Sequence, residues 1–437
     1  MKKIGKISGF PEWLPEQRLI EEEVINTIRG IYRSHGFTPI ETPAVELLTT
    51  LLSQGVVDKE IFVLRRAQDD GSGEAELGLH FDLTVPFARY VAQHFGALQF
   101  PFKRYQLQKV WRGDRPQKGR FREFYQFDID IVAQESLPIA CDAEVFTVLD
   151  KAFVALGIGA HELKMNSRKI LLGFYAALGL SEEAQRKAVV AVDKIAKIGP
   201  DGVRTELERE AGISGAVATR IIEYAGLRLT PENFAEKLRG FGVSSEQLEA
   251  GIVELAALFA LLPAATRGRI VVDLSLARGL AYYTGAICEV HLTDFPEFGS
   301  VGGGGRYENL TQDFVARKLP AVGASIGLSR LMDLIFTHHL KTTSKRCPTD
   351  VVIAVYNDEQ RPRCNAVAEE LRSAGMNVEV YFTAAKLGKQ IDYAAGKGIP
   401  FVLFIHPESG AIEVRNLSTR EQQPVTDLAL WASGMPR

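Results

Sequence analysis

The chain is short of the groups that simple chemistries need. It has four cysteines in 437 residues, Cys141, Cys288, Cys347 and Cys364, far apart and with no CxxC pair. A disulfide framework or structural zinc site is therefore not expected, nor any metal held by protein ligands, and a reducing cytoplasm fits. No run approaches ~18 uninterrupted apolar residues, so no membrane span is expected. The first residues are basic but lack the apolar stretch of a secretory leader. The formal net charge is −3, so nucleic-acid binding would need a local basic patch. There is no G-x-x-x-x-G-K-[ST] loop, so any use of ATP proceeds without a P-loop. A G-x-S-x-G elbow and an H-E-x-x-H helix are also missing. The eight histidines are scattered, and only His338 and His339 adjoin, at an expected helix end.

What remains is an ordinary globular composition, 46% hydrophobic and 24% charged, long enough for two to four domains at roughly 100–200 residues each. Ile20, Val24, Ile28 and Ile31 recur at helical spacing behind Pro15, which predicts a helix over 15–34, stopped at Gly36. Residues 37–43 read as extended, because each proline pushes its predecessor towards β. Short strands are expected at 60–64 and 78–85, and helices at 86–96 and 140–156. A long antiparallel hairpin is expected from 104–112 and 122–133. Residues 181–262 are rich in Ala, Glu and Leu and read as a helical insertion. Strands follow at 269–274 and 282–291, then a helix at 325–338. Residues 340–349 form a polar linker. Beyond it, strands at 351–355, 378–381 and 401–405 alternate with helices at 359–374 and 386–396, which implies a small α/β domain with a largely parallel sheet.

Three stretches carry chemistry. From Lys109 to Arg122 the chain holds six cations in fourteen residues, and arginine forks suit phosphate oxygens. Gln126, Asp128 and Asp130 then alternate at strand spacing, so an amide and two carboxylates share one face that could bind an ammonium or an imidazole N–H. A solvated basic hairpin explains the same residues equally well on composition. Leu276–Gly285 sets Arg278, Tyr282 and Tyr283 among apolar residues. A buried arginine needs an anion, either a ligand or a structural partner. The glycines Gly302 to Gly305 let backbone approach a ligand, but alone they read as a tight turn.

In order, these segments resemble the histidyl-tRNA synthetases, a class II aminoacyl-tRNA synthetase family, from about Gly9 to the C-terminus. Residues 37–43 look like motif 1, which lies at the dimer interface in that family. Residues 79–90 resemble its "LRYDLTVPFARY" segment, and Arg112 to Asp130 is similar to motif 2. Leu276 to Gly285 is similar to the "RGLDYYTG" signature, Gly302 to Tyr307 to a glycine-rich strand, and Gly327 to Arg330 to motif 3. His80, Ala281 and Ser329 depart from the usual Arg, Asp and Glu. Asp114 and Asp130 stand where many members carry Glu. The resemblance implies an α+β fold: a class II core with an antiparallel sheet, a helical insertion and a C-terminal α/β anticodon-binding domain. The expected boundaries are 1–180, 181–262, 263–340 and 349–437.

It also implies roles. Arg112 and Arg278 would be the catalytic residues, serving the α-phosphate. Arg112, Arg115, Arg120, Phe124 and Arg330 would bind ATP. Asp82, Thr84, Gln126, Asp130, Arg278, Tyr282, Tyr283 and Tyr307 would bind histidine. ATP with Mg2+, histidine and tRNA-His would be the ligands, and a cytoplasmic homodimer the assembly. A non-catalytic relative, the regulatory subunit of ATP phosphoribosyltransferase, shares the core. The C-terminal tail and the arginines at 112, 278 and 330 favour the synthetase.

Overall fold

The computed structural model describes residues 5–52, 61–68, 75–277, 283–308, 312, 314 and 317–435. The chain divides into two compact units: 1–11 with 26–338, and 12–25 with 339–437. The helix Pro15–Ser34 forms as its apolar spacing predicts, and Gly36 follows it at φ +76°, a conformation glycine adopts without strain.

The first unit is built on a sheet of nine strands among the described residues. In spatial order they are Thr38–Pro39, Phe102–Trp111, Glu123–Val132, Ala321–Gly327, Ser300–Tyr307, Tyr283–Leu292, His161–Ser167, Ile270–Asp273 and Arg228–Leu229. The six from Phe102–Trp111 to His161–Ser167 are antiparallel. Thr38–Pro39 and Ile270–Asp273 add in parallel at either side. The hairpin pairs Phe102 with Val132 and Trp111 with Glu123. One face of its second strand buries Phe127, Ile129 and Ile131, with Tyr32 at 5.0 Å from the Phe127 ring. The opposite face is no solvated polar strand: Asp128 and Asp130 are also buried.

Three expectations need correction. The stretch 78–85 is not one strand: Leu77–Leu79 is, and a helix begins at Thr84. The helix expected over 325–338 starts at Leu328, because Ala321–Gly327 is a strand. The glycine cluster is no tight turn but the strand Ser300–Tyr307. Its glycines are there for packing: a Cβ on Gly304 would lie 1.9 Å from the Gly323 carbonyl oxygen of the neighbouring strand.

Residues 181–262 are mainly helical, as expected, with helices Glu182–Val192, Ile195–Ala211, Gly215–Ala225, Phe234–Arg239 and Glu246–Leu261. Tyr224 of this region stacks at 3.6 Å on Phe174 of the preceding helix, Arg168–Ala177. The region is joined to the sheet, since Arg228–Leu229 pairs with Ile270–Asp273. The second unit carries a five-stranded sheet in its described residues. Val378–Val380, Val351–Ile353 and Phe401–Ile405 are parallel, as the alternation predicts. The strands Ile412–Asn416 and Gln422–Pro424 then add antiparallel, which makes the sheet mixed.

Candidate active site

The hairpin strands deliver Arg112 and Phe124 to one end of a cavity of about 710 Å3. Arg112 donates from Nε to the Phe81 carbonyl at 2.9 Å, and its guanidinium lies 5.2 Å from the Phe124 ring centre. Arg120 and Gln126 line the same cavity, as does Arg330 from the first turn of the Leu328–Thr337 helix. Burial lowers the Arg330 pKa, and the nearby positive charges of Arg120 and Arg112 lower it further. Three guanidinium groups crowded against one another make a site that wants an anion.

The walls extend beyond the motifs. Glu289 and His291 come from Tyr283–Leu292, while Asp193, Ile195, Ala196 and Arg228 come from the 181–262 region. Arg228 is 2.6 Å from the buried Asp273 carboxylate. These residues went unnoticed in the sequence, because nothing local to 193–228 reveals that it folds back on the sheet.

Behind the cavity lies a buried acidic group. Asp82 follows the strand Leu77–Leu79 and caps the next helix, its Oδ1 accepting the Val85 N–H at 3.1 Å. Its buried Oδ2 has no hydrogen-bond partner among the described residues. Burial pushes the Asp82 carboxyl up to about 6, opposed by the Val85 amide and Arg112 and reinforced by Asp128. Asp130 accepts the Tyr307 hydroxyl at 2.6 Å and pairs with Arg104 at 2.6 Å. Burial carries its pKa to about 7, although Arg104 pulls it down. Arg104 is fully buried and packs 4.2 Å from the Phe87 ring. It was missed from the sequence, yet it stands opposite Asp130 in the hairpin register. Tyr283 pairs with Tyr307 across adjacent strands, and both are buried. Thr84 opens the helix after Asp82. Gln126 donates to the Ser325 hydroxyl at 2.9 Å, leaving its Oε1 without a partner among the described residues.

Not all expected residues converge. Arg115 is exposed and does not line the cavity. Arg278, Ala281 and Tyr282 lie outside the described residues. The departures at 80 and 329 have local explanations. His80 is buried and hydrogen-bonds through Nε2 to the Lys109 carbonyl at 2.7 Å, with its pKa lowered by burial. The Ser329 hydroxyl accepts the Tyr125 N–H at 2.9 Å, tying the motif 3 helix to the hairpin. Among the described residues no group of three His, Cys, Asp or Glu side chains is arranged to hold a metal.

Asp82 yields a prediction with a definite sign. Its folded pKa, about 6, stands above the unfolded 3.8. The neutral acid is therefore favoured by folding, and that advantage is lost as pH rises from 4 through 6. Asp82→Asn should match the wild type below the unfolded value, near pH 3. Near pH 8 it should be the more stable protein, by up to about 3 kcal/mol. Paired urea melts across that range check this, and a difference that does not change with pH would refute it.

The comparisons with known proteins come to the same place. Residues 9–331 match the family described as histidyl-tRNA synthetase, and 350–432 match an anticodon binding domain. A histidine–tRNA ligase of Thermobifida fusca is 47% identical over 428 residues, covering 97% of both chains. One from Micrococcus luteus is 43% identical over 99% of this chain and 96% of its own. A crystal structure of histidyl-tRNA synthetase from a Nostoc species superposes with a TM-score of 0.88 at 35% identity, covering 99% of each chain. A Bacillus halodurans structure titled ATP phosphoribosyltransferase regulatory subunit/histidyl-tRNA synthetase shares the fold, with a TM-score of 0.74 at 20% identity over 89% of this chain and 96% of that one. With an arginine-lined cavity backed by buried carboxylates on an antiparallel sheet, and with relatives this similar along their whole length, the chain belongs to the histidyl-tRNA synthetase family.

Proposed function

We propose that this protein is a histidine–tRNA ligase, which activates histidine with ATP and transfers it to the 3′ end of tRNA-His. The observation that carries the reading is the meeting of Arg112, Arg120 and Arg330 in one cavity beside the buried Asp82 carboxylate. Histidine's carboxylate attacks the α-phosphorus of ATP and displaces pyrophosphate, so two anions must approach. Arg112, joined by Arg278, offsets that repulsion and stabilises the crowded phosphorus centre. No protein base is needed, since a carboxylate is ionised at neutral pH. In the second step the terminal ribose hydroxyl of the tRNA attacks the adenylate carbonyl and releases AMP.

Arg330 holds the triphosphate, and Phe124 stacks on the adenine. Arg120 meets the outer phosphates, and Arg115, exposed outside the cavity, meets the tRNA end. The unpartnered Oδ2 of Asp82 suits the histidine ammonium, and Thr84, Gln126 and Asp130 complete the grip. Tyr282, Tyr283 and Tyr307 shape the imidazole pocket. Magnesium enters with ATP. It prefers oxygen ligands and commonly takes one or two carboxylates with substrate phosphates. The cavity's Glu289 suits that role, and bound magnesium would neutralise phosphate charge.

The same reading places the catalytic core in residues 1–180 and 263–340, the insertion in 181–262 and the anticodon-binding domain in 349–437. It also makes the protein a cytoplasmic homodimer. None of the described helices is long and apolar enough to cross a membrane, and one observation supports the dimer. The small sheet of Val45–Leu47, Leu77–Leu79 and Val63–Leu64 leaves Val45, Leu47, Val63 and Leu77 exposed at 38%, 56%, 51% and 42%, and such a patch calls for a covering surface.

The direct test is charging of purified tRNA-His with radiolabelled histidine, with and without the extra 5′ nucleotide. Histidyl-tRNA that needs both ATP and this protein is expected. No charging of either tRNA would overturn the assignment.

A further inference from the structure

The loop joining the hairpin strands, residues 112–122, is tied down at both ends of its length. At its base, the N–H groups of Arg122 and Glu123 both donate to the Gly9 carbonyl, at 2.7 and 3.1 Å. At its tip, Gln117 and Arg120 exchange two backbone hydrogen bonds, at 3.1 and 2.9 Å, closing a tight turn through Lys118 and Gly119. Gly119 is buried and sits at φ +67°, the left-handed region that suits glycine. That turn aims both of its backbone groups at the Leu328–Thr337 helix. The Gly119 N–H donates to Asp333 Oδ2 at 3.0 Å. The Gly119 carbonyl accepts from Arg330 Nε at 3.1 Å. Arg330 and Asp333 are three residues apart, so they lie on one face of the helix and act as two prongs on a single residue. Arg330 is further fixed by donating to the Ser300 carbonyl at 2.5 Å. Lys118 lies 4.5 Å from the Phe298 ring centre and 3.7 Å from Glu297 on the same side.

We infer that Asp333 is a positioning residue: by holding the Gly119 N–H it keeps the loop tip closed, so that Arg120 and Arg330 face the ATP phosphates together. Asp333 is not itself a lining residue of the cavity, whereas Gly119, Arg120 and Arg330 are. It therefore acts through the loop and not on the substrate. Without its carboxylate, a buried N–H loses its acceptor, and the cost of that unmet donor falls on the closed posture of the tip. The base of the loop keeps its ties to Gly9, so the change stays local. Arg330 would still reach Ser300, but its hold on Gly119 would stand alone. The histidine side of the site, at Asp82 and Asp130, has no contact with this clamp. ATP binding should thus suffer and histidine binding should not. The inference rests on the ligase reading above.

The test is ATP–pyrophosphate exchange with full-length wild type, Asp333→Ala, Asp333→Asn and Gly119→Ala. Asp333→Ala should raise the ATP KM about tenfold, the loss of one hydrogen bond to a charged acceptor, with the histidine KM and the thermal midpoint near wild type. Asp333→Asn keeps an oxygen acceptor, though a neutral and weaker one, and should recover most of the wild-type ATP KM. In Gly119→Ala the added Cβ would sit 3.2 Å from Arg330 Cγ in a strained backbone, and the ATP KM should rise again. An unchanged ATP KM in Asp333→Ala would overturn the inference. So would an equal rise in the histidine KM, or an Asn variant as impaired as the Ala variant. A wild type without histidine-dependent exchange would instead sink the ligase reading. In that event the same four proteins, titrated with a fluorescent ATP analogue, would still report whether the clamp orders the phosphate site.

Discussion

Arg112→Ala should slow adenylate formation about a hundredfold while leaving the fold intact. Removing one preorganised charge donor from a reaction that brings two anions together costs on the order of 3 kcal/mol in the transition state, and that energy is about two decades in rate. The native geometry shows why the group counts as preorganised. Its Nε is already spent on the Phe81 carbonyl and its plane lies over Phe124, so the remaining N–H groups are directed without reorganisation. Arg112 is only half-buried and has no ion-pair partner among the described residues, so its loss removes no direct contact from the core, although the buried Asp82 loses a compensating positive charge. Rapid-quench measurement of histidyl-adenylate, with circular dichroism as the folding control, separates the two effects. A rate within threefold of wild type would remove Arg112 from the chemistry. Arg278→Ala should behave similarly, on the strength of the family resemblance.

Gly323→Ala should strongly destabilise the sheet and disturb the site at once. A Cβ there would lie 1.8 Å from Asp130 Oδ1 and 2.9 Å from the Ile129 carbonyl. Asp130 cannot step aside, because Arg104 and the Tyr307 hydroxyl hold it from two directions. Overpacking of this kind costs about 3 kcal/mol or more. The loss should appear as a lower urea midpoint together with a raised histidine KM. Gly327→Ala is the control, since a Cβ at 327 meets nothing nearer than 3.6 Å. Equal stability of the two variants would show that Asp130 is not locked as described.

How much of this was readable beforehand depended on whether each signal was local. The helix Pro15–Ser34 and the second hairpin strand, Glu123–Val132, were legible because their apolar residues repeat at periods of 3.6 and 2. The strand Ala321–Gly327 was not: Ala, Gly and Ser leave no alternation to see. Its small residues make sense only once the Asp130 side chain is known to lie against Gly323. The strand His161–Ser167 carried a signal, with His161, Leu163 and Met165 buried in alternation, and it was overlooked. At the site, the cations of 112–120 were visible as a cluster. The partners that organise them, Asp333, Ser300 and Glu289, come from distant sequence and were not. Arg104 is intermediate, since a hairpin closed between Trp111 and Glu123 sets it opposite Asp130.

The central claim is that the guanidinium cavity exists to join a histidine carboxylate to the innermost phosphate of ATP. Incorporation of labelled pyrophosphate into ATP by the purified wild type measures that reversal directly. Exchange that appears with histidine and vanishes when another amino acid replaces it is the expected result. Exchange that ignores histidine, or none in the presence of ATP, magnesium and histidine together, would contradict it.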